Sequence, residues 1–486
     1  MDTTSVVAMD EATGARDVFL EIDLHRGYLR RNLRSALREA IQQGRLTAGT
    51  RLPSSRRLAA DLDVSRGVVA DTYDQLAAEG YLTVTERQAP IIAAVAAPAP
   101  TVAAAERPTW PIDFVATTPD VELFPRRAWL RAMERAMRAA PNAAFDYGDH
   151  RGRHELRTAL HEYLGRVRGV RIDPERIVIT QGFTQGLDLL CRVLRERGAT
   201  TLTFETPSQP NPWATVAAAG LRIEAVPVDG QGIVTDGLAG LSGDAVLVGP
   251  AHQFPTGTVM APARRAALVA WAARRDRLVI EDDYDAEFRY DRLGIGAVQG
   301  LDPNRVVHLG TSSKTLAPGI RLGWMSLPPD LVDEVRAAKA AADSGSPALE
   351  QLALADLLSS GEYDRHVARA RQAYRHRRDA LVGAAARRLP GLRLDGAAAG
   401  LHLLLRLRDG IDDVAISHAA ESRGVRVEAL SPMSLIGGPE RGLVLGYSRL
   451  SAERIDGAVA TLAEVLRAAD AFRGELRPRP RSPRPG

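Results

Sequence analysis

The hydrophobic rhythm of the chain changes partway along its length. From Tyr28 to Gln43 apolar residues return at helical spacing (Leu29, Leu33, Leu37, Ile41), and Gly44 follows where a helix-ending glycine belongs. The pattern then predicts a short helix capped by Ser54 or Ser55 and running to about Leu62, a tight turn at Asp63 and Val64, and a further helix capped by Ser65 and reaching Ala78. Glu79-Gly80 ends it. A helix, a short turn and a capped second helix starting at Arg66 is the helix-turn-helix arrangement, whose second helix can enter a major groove. A plain helical hairpin fits the same periodicity. Residues 93–109, AAVAAPAPTVAAAERPT, carry no periodicity and read as a semi-extended Ala/Pro linker.

Beyond Pro111 the rhythm alternates. Apolar β-rich runs predict strands at Arg176 to Thr180, Thr201 to Phe204, Ala245 to Gly249, Leu278 to Glu281, Val306 to Leu309 and Leu322 to Leu327, with helices such as Gln185 to Arg197 and Arg264 to Arg275 between them. Such alternation predicts an α/β domain with a large, mainly parallel sheet covered on both faces, and ligands at the carboxyl ends of its strands. Long helices follow Leu331, including one from Gly361 to Arg388, and then a small α+β unit from Leu392 to Asp470. The tail from Arg473, RGELRPRPRSPRPG, reads as disordered.

Composition narrows the classes. A chain of 486 residues, 45% hydrophobic and 25% charged, is long enough for two or three domains with sizeable cores. A net charge of +3 excludes a polycation, so nucleic-acid binding must come from a local patch. The single cysteine, Cys191, excludes an intramolecular disulfide and a Cys-based metal cluster, and no metal site is expected. The first residues lack a basic-then-apolar signal pattern, and charges interrupt every long apolar run, so a cytoplasmic protein without a membrane span is expected.

The residue that stands out is Lys314, within RVVHLGTSSKTLAPGIRLGW. Only Lys314 and Lys339 are lysines in a chain full of arginine. Arginine cannot replace an amine that must lose its proton and attack a carbonyl, so a lysine kept between two apolar strands points to Schiff-base chemistry. The run LVIEDDYDAEFRY carries Asp282 and Tyr284 off another strand end. If Lys314 holds pyridoxal 5'-phosphate, Asp282 is the carboxylate that keeps the pyridine nitrogen protonated, and Tyr284 donates to the phenolic oxygen.

Two stretches carry a family resemblance. The order R-L-P-S-x-R-x-L-A-x-x-L-x-V-S-R-x-V-V-x-x-T-Y-x-x-L-x-x-E-G-Y-L resembles the winged-helix domain of GntR-family regulators. That resemblance implies DNA contacts by Arg56 and Arg66, with Arg51, Ser54, Ser65 and Gly67 close to the backbone. The wing region TVTERQAPII has Pro90 in place of the usual glycines, which predicts a shorter or stiffer wing. Between Arg16 and Pro90 there are 12 arginines against 10 acidic residues, so affinity must rest on patch geometry and dimer avidity.

Asp282, Tyr284, the S-K-x-x-x-P-G-x-R run at Ser313 to Arg321 and H-Q-F-P-T-G at His252 to Gly257 resemble fold-type I aminotransferases, in the version fused to a GntR domain, the MocR-type regulators. The resemblance implies an aldimine on Lys314 and a cofactor phosphate held by Gly182, Phe183, Thr184, Thr311, Ser313 and Arg321. His252 or Gln253 would reach the cofactor's oxygen. Tyr147 would reach the phosphate of the partner subunit in a domain-swapped homodimer, and Arg441 would grip the carboxylate of an amino-acid ligand. Gln209 stands where the family places a stacking aromatic ring. The expected layout is a winged helix-turn-helix at 17–92, the linker at 93–109, the pyridoxal-phosphate domain at 110–472 and the tail at 473–486. The expected role is an operator-binding regulator that senses an amino acid or amine effector; the alternative is an aminotransferase with an accessory DNA-binding domain.

Overall fold

The computed structural model describes residues 28–85, 88–94, 109–291, 294–396, 398–408, 410–438 and 440–469, together with two short strands at Thr4–Val7 and Leu20–Asp23. Most of the expected linker and the whole Arg/Pro tail lie outside the described residues. The chain divides into two units, Met1–Pro108 and Thr109–Gly486.

In the first unit, helices span Leu29–Gln42, Ser55–Asp61 and Arg66–Ala78. The apolar stripe read from the sequence becomes the core: Leu33, Leu37 and Ile41 bury against Leu58, Val69 and Leu76. Asp63 makes the turn by adopting φ 52, a left-handed conformation that Asp tolerates better than most residues. A wing is present but short, two residues on each side, pairing Leu82 with Ile92 and Thr83 with Ile91.

The second unit is built on an eight-stranded sheet in the order Ile177–Thr180, Gly323–Ser326, Val306–Thr311, Leu278–Asp283, Ala245–Val248, Thr201–Thr206, Arg222–Asp229, Gly232–Ile233. The four neighbouring pairs from Val306–Thr311 through Arg222–Asp229 are parallel, whereas Gly323–Ser326 is antiparallel to both of its neighbours. Six strands, Ile177–Thr180 among them, therefore deliver their carboxyl ends to one edge, and Gly323–Ser326 begins at that edge. Strand alternation loads both faces. Leu247, Ile280 and Val307 pack under the Phe183–Glu196 helix, while Val246, Val279 and Val306 pack under the Pro262–Arg275 helix.

A smaller antiparallel sheet orders Arg393–Asp395, His402–Arg406, Gly442–Gly446 and Glu428–Ala429, and the helices Glu362–Arg388 and Ala452–Ala468 share its core. The first strand of the second unit, Ile112–Asp113, belongs to this small domain: it runs parallel to Val425–Arg426, and the Phe114 carbonyl accepts from Gly446 at 2.8 Å. Among the described residues no helix is long and apolar enough to cross a membrane.

Candidate functional site

A cavity of about 330 Å³ opens where the sheet's carboxyl edge meets the small domain. Of the residues singled out in the sequence, Phe183, Thr184, Asp282, Tyr284, Thr311, Ser313, Lys314 and Arg321 line it.

One end is built for an anion. Gly182 occupies the N-cap of the Phe183–Glu196 helix with φ 89, so the first amides of the helix face the cavity mouth with the positive end of its dipole. The packing there admits only glycine: a Cβ on Gly182 would lie 3.1 Å from the Arg321 guanidinium, and one on Gly323 would lie 2.8 Å from the Gly182 Cα. Arg321, itself at φ 56, donates to the Gln181 carbonyl and so is fixed beside the helix start. Thr311 donates to the Ser313 hydroxyl at 2.9 Å, and the Ser313 amide donates back to the Thr311 hydroxyl at 3.1 Å. A guanidinium, two hydroxyls and a helix N-terminus form a donor set that suits a phosphate.

The strand Leu278–Asp283 sets two adjacent carboxyls apart. Asp283 turns to the sheet's other face, where Arg168 at 2.7 Å and His308 at 2.8 Å hold it ionised, well below the usual carboxylate range. Asp282 turns to the cavity. Loss of water, reinforced by the nearby Asp283, pushes it up to about 8, with Lys314 pulling the other way. A carboxyl in that condition needs a cationic partner, and a protonated ring nitrogen is one. Burial depresses the Lys314 amine, opposed by the charges of Asp285 and Asp282; its Nζ donates to the Thr117 carbonyl. Burial likewise drives the Tyr284 phenol far above its ordinary value, so it keeps its proton, which it donates to the His252 carbonyl at 3.0 Å.

Other expected site residues lie elsewhere. His252 and Gln253 do not line the cavity. The Gln253 amide is consumed on both sides, donating to the Pro207 carbonyl at 2.7 Å and accepting from Thr256 at 2.6 Å, while His252 is paired with Asp285 at 2.9 Å. The next residue, Phe254, faces the cavity instead. Arg441 is also away from the cavity, because it precedes the strand Gly442–Gly446 at the end remote from Lys314 and donates to the Gly438 and Glu440 carbonyls. The inward residue of that strand is Val444, packed with Ala116 and Phe254. Tyr147 is 86% exposed and lines a groove with Gln181 and Asp343. Gln209 lines the cavity, as its place after the Thr201–Thr206 strand requires.

Two contributors were not read from the sequence. Glu205 lines the cavity, accepts the Gly249 amide at 2.8 Å through one oxygen, leaves the other without a partner, and is pushed up to about 7 by burial. An acid inside the fully buried run TLTFET was its only signal. Thr117 gave none, because its carbonyl reaches Lys314 through a chain separation of 197 residues.

In the first unit Arg51, Ser54, Arg56, Ser65, Arg66 and Gly67 are all exposed. Ser54 caps its helix by accepting the Arg57 amide at 3.3 Å. Ser65 occupies the N-cap of the Arg66–Ala78 helix, but its hydroxyl makes no capping bond. Arg66 reaches Ser55 at 3.5 Å, which places its guanidinium between the starts of the two helices.

Two family profiles match the chain: "Aminotransferase class I and II" over residues 118–462, and "Bacterial regulatory proteins, gntR family" over residues 29–91. The chain is 34% identical over 430 residues to an uncharacterized HTH-type transcriptional regulator, YhdI, of Bacillus subtilis, covering 86% of this chain and 91% of that protein. It is 32% identical over 446 residues to the probable rhizopine catabolism regulatory protein MocR of Rhizobium meliloti, covering 86% and 90%. Among solved structures, an archaeal alanine:glyoxylate aminotransferase superposes with a TM-score of 0.69 at 29% identity, covering 74% of this chain and 91% of that one.

Proposed function

Because the chain belongs to the MocR-type regulators, a gntR-type DNA-binding unit joined to an aminotransferase class I and II domain, we propose that it binds operator DNA as a homodimer and alters that binding when an amino acid or amine reaches Lys314 of a pyridoxal-phosphate-loaded site. Relatives with this fold depend on pyridoxal phosphate, and the residues at the sheet edge suit it. Arg321, Thr311, Ser313 and the helix start at Gly182 to Thr184 would hold the phosphate. Asp282 would face the ring nitrogen and keep its proton in place. Tyr284 would turn its phenol from the His252 carbonyl toward the ring oxygen. When bound, the cofactor supplies an electrophilic carbonyl and an electron-withdrawing ring.

The observation that carries the reading is the contact between Lys314 and the Thr117 carbonyl. Thr117 lies on the segment that enters the small domain, so the amine that meets the effector also touches the domain that would move. A ligand that engages Lys314 removes this bond and favours a different small-domain position, by as much as its affinity differs between the two states. On the DNA side, Arg56 and Arg66 at two neighbouring helix starts present charge to phosphate where the backbone amides already favour an anion.

The test takes duplexes selected from a random pool by the cofactor-loaded protein and measures affinity and footprint with a panel of amines and amino acids. At least one should shift binding in the wild type and not in Lys314→Ala. A panel that never shifts it overturns the sensing role. The second reading, an aminotransferase, draws on the complete set Lys314, Asp282 and Tyr284 at the cavity. Sustained amino transfer to a 2-oxo acid, with no sequence selected from the pool, would establish that reading instead.

A further inference from the structure

The cavity concentrates its positive charge at one end and at one amine. Among the described residues that line it, only Lys314 and Arg321 are cationic, against the carboxyls of Glu205 and Asp282. Both cations are committed. Arg321 is fixed at the anion end by its bond to the Gln181 carbonyl, beside the helix start at Gly182, and Lys314 is the amine that an effector meets.

In an α-amino acid the carboxylate sits on the carbon that bears the amine, so it has to lie beside Lys314. What the chain offers there does not suit it. The Thr117 carbonyl, which accepts from Lys314, has no proton to give a carboxylate. Asp282, close enough to act on the charge of Lys314, is itself a carboxyl. The Tyr284 phenol spends its proton on the His252 carbonyl at 3.0 Å.

The wall formed by Ala116 and Phe254 does not supply the missing charge. Leu404, Leu430, Met433 and Val444 back it, each at most 5% exposed. Val444 is the inward residue of the strand Gly442–Gly446, whereas Arg441, just before that strand, donates to the Gly438 and Glu440 carbonyls outside the cavity. A carboxylate taken out of water without a cation or a full set of donors is strongly disfavoured, but an uncharged body against the same wall loses nothing. Leaving a charge unpaired is a way to reject the molecule that carries it.

We propose that the cavity selects primary amines that carry no carboxylate on the amine-bearing carbon, with an uncharged body laid along Ala116 and Phe254, and rejects α-amino acids. This inference rests on the sensing reading of Lys314 and narrows its effector from an amino acid or amine to an amine.

The test uses the pyridoxal-phosphate-loaded full chain and two matched sets: leucine, leucinamide and isopentylamine, then phenylalanine, phenylalaninamide and phenethylamine. Dissociation constants are taken by calorimetry at one pH and corrected to the free-amine fraction of each compound, and operator affinity is measured with the same compounds. Each amine should bind at least about tenfold more tightly than its amino acid, and each amide, which keeps the bulk and loses the charge, should follow the amine. Binding should vanish in Lys314→Ala. An amino acid that binds as tightly as its amine overturns the proposal and leaves sensing intact. An amide as weak as its acid overturns it by making bulk the cause, and binding that persists in Lys314→Ala overturns it by placing the ligand elsewhere. Amines that bind with the expected preference and never move operator affinity uphold the selectivity and overturn the sensing role. If no compound of either set binds, both fall.

Discussion

Lys339 lies fully buried in the Val332–Asp343 helix, where its ammonium donates to Asp343 at 2.7 Å and Ser346 at 3.0 Å, whereas Lys314 stands at a cavity wall with the Thr117 carbonyl as its acceptor. Burial depresses both amines. What separates them is the company each keeps. Asp343 binds Lys339 directly and holds its proton, and the shell around it is closed. The carboxylates near Lys314 act through space, and the cavity leaves its nitrogen open to a carbonyl. Lys339 still serves the site at one remove. Its partner Asp343 accepts from Gln185 at 2.7 Å, and Gln185 accepts the Gln181 amide at 2.7 Å, directly before the Gly182 cradle. Desolvation therefore makes an amine easier to deprotonate, but its partners decide whether it reacts or braces.

The sharpest way to break this comparison is reductive trapping. After borohydride treatment with pyridoxal phosphate, mass spectrometry should find the adduct in the wild type and in Lys339→Met, and none in Lys314→Ala. Trapping on Lys339 would erase the distinction. Next in size, Lys339→Met strands Asp343 beside a buried apolar stem and should cost about 3 kcal/mol in urea unfolding. Arg321→Ala removes a charge-assisted phosphate contact and should weaken pyridoxal phosphate by about 2 kcal/mol, read by fluorescence titration.

A smaller effect lies in the pH dependence. The Asp282 carboxyl is raised, so without a cationic partner the folded chain keeps a proton that the unfolded chain has released. Stability should then fall as pH rises from the ordinary carboxylate range toward about 8, and Asp282→Asn should flatten that slope in urea midpoints taken from about pH 5 to about pH 8. The smallest effect is expected at Arg441, whose guanidinium donates to the Gly438 and Glu440 carbonyls outside the cavity. Arg441→Ala should leave amino-acid binding unchanged and stability within about 0.5 kcal/mol.

The sequence made the central strands legible because they are apolar runs bounded by turns. It hid Arg222–Asp229, the strand next to the sheet's edge, of mixed polarity, whose partly exposed faces break the buried-run signal. Lys314, Asp282 and Arg321 could be read because each is a scarce or charged residue at a strand end, where the fold has to place it. His252, Gln253 and Arg441 lie outside the cavity for one reason: which way a side chain points depends on the register of its loop or strand, and a shift of three residues exchanges Arg441 for Val444, a shift of one Gln253 for Phe254. Glu205 and Thr117 were not legible because their importance comes from burial and from a long-range contact, neither of which a local pattern records.

The strand Ile112–Asp113 has a mechanical consequence. The second unit opens at Thr109, and its chain is stitched almost at once to Val425–Arg426 of the small domain before it reaches the large sheet. The chain that enters this unit is thus moored to the small-domain side of the cavity. On the proposed sensing role, a tilt of the small domain would draw like a winch on the chain entering at Thr109 while the large sheet stayed still.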